Sequence, residues 1–454
     1  MRRFEKANLS AYLNFLLAKY EMYTGAVEVR SRPYYLSIDP SSICQLRCPT
    51  CPTGIDNERA RAKTGTAIPY RTRRTRMHRD RFDAVLDELG EYLFLVMFYN
   101  WGEPLLNAQL PSYIRRAREY DIATEVNTNL SLELDDAFLE ELLSSGLDTI
   151  SASIDGFSQE TYERYRSGGR LDLVKRNLER LVRTRDRLGL DTAIEWNFLV
   201  FGFNEHEVPA ARKYCEALGV RFDTRDAYID NPDWLPSHRK DEKPMSRSPE
   251  WNEPVVWSPV RRDGTGDERQ PCGWHYGYSV VNAEGNVSPC CASWNEKDDF
   301  GTVTPGATSF AEVWNNDLVR GSRAAFSSRP PGDTTDVETL CTRCPHGAGI
   351  QHLYSLFDGS VFVAFHRSFG RSDPLLARAF DLLARVRFGR IYAALVRHAI
   401  GVRLMLFVKG KESPRRMVGW SAFFERHLMP GYFAGPAAGT GPASPAGVPE
   451  PPGR

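Results

Sequence analysis

Three thiols crowd one short stretch. Cys44, Cys48 and Cys51 fall within SICQLRCPTCPTG, residues 42–54, directly after an apolar run. Thiolates at this density favour iron–sulfur clusters or zinc. A [4Fe–4S] cube needs four ligands and this loop offers three, so one iron would stay open to an exogenous chelator. A zinc knob that borrows a distant fourth ligand is the competing reading. Three further polar stretches follow in order: Asn100-Trp101-Gly102-Glu103-Pro104, Asn127-Thr128-Asn129 and Ser153-Ile154-Asp155-Gly156. Each alone would pass for a turn.

What gives them meaning is the set of elements that must position them. From Tyr34 a beat begins of short apolar strand, loop and amphipathic helix. YYLSID (34–39), LFLVMFY (93–99), IATEVN (122–127), DTISASI (148–154), DTAIEWNFLV (191–200) and VRFDTRD (220–226) read as six strands. RFDAVLDELGEYL, LPSYIRRAREY, DDAFLEELLSS, LDLVKRNLERLVRTRDRL and EVPAARKYCEAL carry apolar residues at helical spacing between them. Strands alternating with helices imply parallel βα units, whose sites lie at the strands' C-terminal ends. The fold class expected is α/β: a partial (β/α)6 TIM-type barrel, a small cysteine-rich accessory domain and a helical C-terminal extension. The thiol loop and all three polar stretches then share one end of one barrel.

That order resembles the radical S-adenosylmethionine (SAM) superfamily. The resemblance implies that Cys44, Cys48 and Cys51 hold a [4Fe–4S] cluster completed by SAM. It also implies SAM contacts from Gly102, Glu103 and Pro104 for the amino group and from Asn127 and Asn129 near the ribose. Ser153, Asp155 and Asn197 fall where the family contacts the cofactor. The chain departs from the family pattern at Thr50, often aromatic, and at Trp101, where a glycine is usual. Reduction of the cluster would split SAM to a 5′-deoxyadenosyl radical that takes hydrogen from a substrate C–H bond, with the barrel supplying orientation.

Further along, Cys272-x17-Cys290 and Cys341-Thr-Arg-Cys344 resemble the SPASM/twitch accessory domain in its single-cluster form. By that resemblance Cys272, Cys290, Cys341 and Cys344 close a second [4Fe–4S] cube that moves electrons; the spacing alone also permits a structural zinc ribbon. His275 and His346 flank these thiols as hydrogen-bonding neighbours. Cys215 and Cys291 are left over, and either is a candidate to return a hydrogen atom to a substrate radical.

Lysine and arginine number 58, matched by 58 aspartates and glutamates, which argues against a nucleic-acid partner. No secretory signal and no 18-residue apolar run is present. Nine cysteines, eight of them in two groups, fit a reducing cytoplasm. The expected domains are a helical lead-in (1–33), the barrel (34–228), a linker or lid (229–270), the cluster domain (271–347), a basic helical extension (348–433) and a disordered tail (434–454). Residues 56–81 read as a basic insertion. The extension's Arg390, Arg397, Arg403, Lys409 and Lys411 interleave with apolar residues, so its helices would pack on the barrel or lie peripherally on a membrane. The resemblance implies an electron donor such as flavodoxin or ferredoxin. Three functions compete: dehydrogenation or epimerisation of a small hydroxylated substrate of sugar or aminocyclitol type, modification of a ribosomal peptide, and a non-catalytic iron–sulfur or membrane-associated scaffold. The 33 residues before the first strand are shorter than the leader-binding domain of many peptide modifiers, which disfavours the second.

Overall fold

The computed structural model describes residues 8–49, 51–54, 74–227, 231–240, 272–291, 293–326 and 337–343. Helix α1 (Leu9–Thr24) starts where the Asn8 side chain accepts from the Ser10 amide, and it stops at Gly25, whose φ of 62° few other residues adopt. Then follow β1 (Tyr35–Ile38), α2 (Arg79–Leu89), β2 (Leu95–Phe98), α3 (Leu110–Glu119), β3 (Ala123–Thr128), α4 (Asp136–Ser144), β4 (Thr149–Ser153), α5 (Gln159–Tyr165), α6 (Leu171–Arg187), β5 (Ala193–Val200), α7 (Val208–Leu218) and β6 (Arg221–Asp226). The accessory part adds β7 (Tyr278–Val281), β8 (Asn286–Ser288), β9 (Gly301–Thr302), α8 (Phe310–Trp314) and α9 (Asp317–Ala325). All six expected strands form; α5 is too short to give a helical period and was not anticipated.

Strands β1 to β6 pair side by side in chain order, every pair parallel. The helix-facing side buries Leu36, Val96, Val126, Ile150, Trp196 and Phe198 against α2 to α7 in one apolar layer. The opposite face is the lumen. Tyr35, Leu95, Met97 and Ala123 close its lower end against Tyr12 and Phe15 of α1, so the lead-in helix is core and not surface.

The accessory hairpin departs from expectation. Strand β7 pairs in parallel with β1, Tyr35 opposite Tyr278 and Ile38 opposite Val281, and β8 and β9 continue the same nine-stranded sheet antiparallel. The sequence reads as a small unit with a hairpin, and a hairpin pattern shows its own pairing and not the edge it joins. Cys344, His346, the extension over 348–433, the tail from 434 and most of the 229–270 linker lie outside the described residues. So does the 56–81 basic insertion as far as residue 73. No helix among the described residues is long and apolar enough to cross a membrane.

Candidate active site

The thiol loop leaves β1 and is pinned from three sides. The Ser42 amide donates to Thr75 O at 2.9 Å, Arg47 to Ser167 O at 2.9 Å, and Glu103 to Ile43 O at 2.8 Å. Two glycines make this fit possible. A Cβ on Gly102 would lie 1.5 Å from Ser41 O, and one on Gly54 would lie 2.5 Å from the Cys48 amide nitrogen. The Gly102–Pro104 stretch therefore lies directly against the loop that carries Cys44, Cys48 and Cys51. Cys48 is buried; Cys44 and Cys51 are half-buried. Burial pushes the Cys48 thiol up to about 11, against the pull of Arg166, and it raises Cys44 too, with the Glu103 charge adding to it. Such thiols lose their protons readily only to a bound cation.

Glu103, expected among the contacts to the SAM amino group, has its carboxylate engaged within the protein. It is 1% exposed, and its oxygens accept from Leu105 N at 3.1 Å, Thr128 Oγ1 at 2.6 Å and Asn129 N at 2.8 Å. It ties the end of β2 to the end of β3. Asn129 reaches the thiol loop directly, donating to Cys44 Sγ at 3.6 Å and accepting from Gln45 Nε2 at 2.8 Å. Asp155 is likewise fully buried: Arg166 Nε donates to Oδ2 at 2.5 Å and Leu199 N to Oδ1 at 2.7 Å. It holds Arg166, whose positive charge acts on the Cys48 thiol.

In the lumen, Ser153 Oγ donates to Asn127 Oδ1 at 2.7 Å. Asn197, opposite Ser153 in the register, is 6% exposed and its Oδ1 has no donor. Below them lie Tyr99, Glu125 and Glu195. Cys291 is exposed and lies within electrostatic reach of Tyr99. Cys215 sits fully buried on α7 in the helix-facing layer, across the sheet from the lumen, as its apolar neighbours on that helix require.

On the accessory side, Cys272 and Cys290 pack against the core that closes the lumen, and His275 Nε2 lies 3.2 Å from Cys341 Sγ. His275 is buried and its pKa falls to about 3, through burial and then the Arg323 charge, so it is neutral. The hairpin turn touches the thiol loop: Ser42 Oγ donates to Glu284 Oε1 at 2.5 Å, and Asn100 Nδ2 to Asn282 Oδ1 at 3.1 Å. Trp101 replaces the usual glycine with a bridge. Its carbonyl accepts from Thr53 at 2.6 Å, and its ring meets Trp294 edge-on at 6.1 Å.

Residues 38–209 match the Radical SAM superfamily, and 272–345 match SPASM, an iron–sulfur cluster-binding domain. Together these spans cover more than half of the chain. The chain belongs to the radical SAM superfamily. Among named relatives, a probable GTP 3′,8-cyclase of Methanococcus maripaludis strain S2 is 27% identical over 193 residues, 42% of this chain and 57% of that protein. A PqqA peptide cyclase of Gluconobacter oxydans is 25% identical over 299 residues, 63% of this chain and 77% of that one. The crystal structure of BtrN in complex with AdoMet and 2-DOIA aligns at 15% identity and a TM-score of 0.36, covering 66% of this chain and 88% of that one. The first of these matches thus spans little more than half of the relative's own length.

This radical SAM enzyme uses SAM and [4Fe–4S] clusters, with an auxiliary cluster in the SPASM domain. The residues present fit them: three thiols on one clamped loop, two glycines where a Cβ has no room, and thiols raised by burial until iron binds. Among the described residues no three of His, Cys, Asp and Glu gather tightly enough for a single ion. Sequence reasoning missed Arg166, for which spacing gives no signal. It also missed Glu125 and Glu195, for which there was one: Glu125-Val-Asn127 and Glu195-Trp-Asn197 put each Glu on its Asn's strand face.

Proposed function

We propose that this radical SAM enzyme oxidises a small hydroxylated molecule of sugar or aminocyclitol type at a carbinol carbon. The reading is carried by the lumen lining. Tyr99, Glu125, Ser153, Asn197 and Glu195 give this face of the barrel a polar lining, and an apolar ligand there would leave the buried Asn197 carbonyl without a donor. Bound clusters and SAM supply a 5′-deoxyadenosyl radical for hydrogen abstraction and a sink for one electron. This chain's own residues then have three tasks. Cys44, Cys48 and Cys51 hold the first cluster, and the Gly102–Pro104 backbone, Asn127, Asn129 and Ser153 orient SAM, which leaves the Asn197 carbonyl to the substrate. Arg166, oriented by Asp155, neutralises charge at Cys48.

Cys272, Cys290, Cys341 and Cys344 would hold the auxiliary cluster. Two of them border the lumen-side core, which supports an electron leaving by that route. The product would then be two hydrogens lighter than the substrate, one lost as an atom and one as a proton. Cys272→Ala should stop product formation while 5′-deoxyadenosine release continues. Unchanged product mass with solvent deuterium at the altered carbon would overturn dehydrogenation in favour of epimerisation, for which Cys291 is our candidate hydrogen donor.

A second reading, modification of a ribosomal peptide, is favoured by the relative named PqqA peptide cyclase. Our domain limits, 34–228 for the barrel and 271–347 for the accessory unit, belong to this proposal. So do a cytoplasmic setting and a one-electron donor such as flavodoxin or ferredoxin.

A further inference from the structure

The floor of the lumen holds charges that binding the clusters and SAM leaves unused. Glu125 Oε1 accepts from the Tyr99 hydroxyl at 3.2 Å, its one hydrogen bond among the described residues. Across the lumen, Glu195 is held by Ser151 Oγ at 3.0 Å and Arg221 at 2.7 Å. Along edge strand β6, Arg221, Asp223 and Arg225 share the lumen face, and Arg225 reaches Asp223 at 3.4 Å. Among the described residues, then, Glu125, Glu195 and Asp223 stand against two guanidiniums. One negative charge lacks a counterpart, and Glu125 is the carboxylate with no direct cationic contact.

An independent observation points to a ligand. Asn197, two residues beyond Glu195 on the same strand face, is 6% exposed, and its Oδ1 meets no donor. A buried acceptor left so costs about 1–3 kcal/mol. Open carboxylate and orphan carbonyl ask for the same thing: a donor-rich cation. A primary ammonium offers three N–H donors, one positive charge and no acceptor. We propose that Glu125 is the counter-ion for a protonated primary amine on the substrate, with Asn197 accepting an N–H or O–H from the same molecule. This deepens, and rests on, the reading of the lumen as the substrate site. Burial, with the Glu195 charge adding to it, raises the Glu125 carboxyl, a penalty that an ammonium beside it would relieve.

The amine could belong to an amino sugar or to a lysine side chain, and the test separates the two. Reconstituted holoprotein with SAM would be dialysed against labelled glucosamine or glucose, and against Gly-Lys-Gly or Gly-norleucine-Gly. A charge-assisted hydrogen bond predicts that the amine of at least one pair binds about tenfold or more tighter than its neutral twin. Glu125→Gln, checked for full iron content, should erase that preference. A preference for glucosamine supports both proposals. A preference confined to the lysine peptide supports the amine site and defeats the small-molecule reading. Equal binding of glucosamine and glucose, with no lysine preference, overturns the amine site and leaves the small-molecule reading standing. No preference in either pair, or a preference that survives in Glu125→Gln, overturns the proposal.

Discussion

At the scale of single residues, two contacts at sulfur make direct predictions. Cys341 as a ligand thiolate has no proton, so the hydrogen in its 3.2 Å contact must sit on His275 Nε2, with Nδ1 a bare acceptor. Hydrogen bonds to ligand sulfur raise a cluster's potential. His275→Phe should therefore lower the auxiliary cluster's midpoint potential, read by a potentiometric titration followed by EPR; an unmoved potential would show that the contact is packing alone. Arg166 gives the second. It is anchored to Asp155 in a nearly dry site, its side chain 15% exposed against 0% for Asp155. Asp155→Ala strands a buried guanidinium beside Cys48 and should cost about 3–5 kcal/mol. Urea unfolding would measure this, and Asp155→Asn, which keeps the Leu199 contact, should cost less.

At the scale of elements, the thiol loop is held by its neighbours and not by its own turn. Gly102 closes on Ser41 too tightly for any side chain. Gly102→Ala should therefore displace the loop and lose the first cluster while β7, β8 and the auxiliary thiols stay in place. Iron analysis of anaerobically reconstituted protein should fall from about eight to about four atoms. Cys44→Ala, Cys48→Ala and Cys51→Ala combined should give the same count. If Gly102→Ala keeps full iron, the loop is more compliant than its packing implies.

At the scale of the whole molecule, barrel and accessory unit share one sheet. Beyond the β1–β7 ladder, Trp314 Nε1 donates to Ser31 O at 3.1 Å, and Arg323, 0% exposed, donates to His275 O, Val27 O and Trp314 O. A protein ended at residue 240 would bare the β1 edge and strand those carbonyls. It should fail to show the cooperative thermal transition of the full chain; a barrel-only piece with an undiminished Tm would refute the shared-core account.

The sequence alone was enough for the six parallel strands, because β1 and β2 read as near-continuous apolar runs and β3 to β6 as alternation, between helices of clear period. It was enough, too, for the thiol loop and the polar strand ends, since their order along the chain becomes their adjacency around the barrel. It could not decide what depends on contacts across the chain. That Glu103 and Asp155 tie strand ends and a guanidinium inside the protein is invisible in sequence, because only packing shows which donors surround a carboxylate. Cys215 and Cys291 look equivalent as spare thiols until packing buries one in the helix-facing layer and leaves the other exposed. The pairing of β7 with β1 is the largest case: an edge accepts any strand of suitable length, so only the tertiary structure fixes which one fills it.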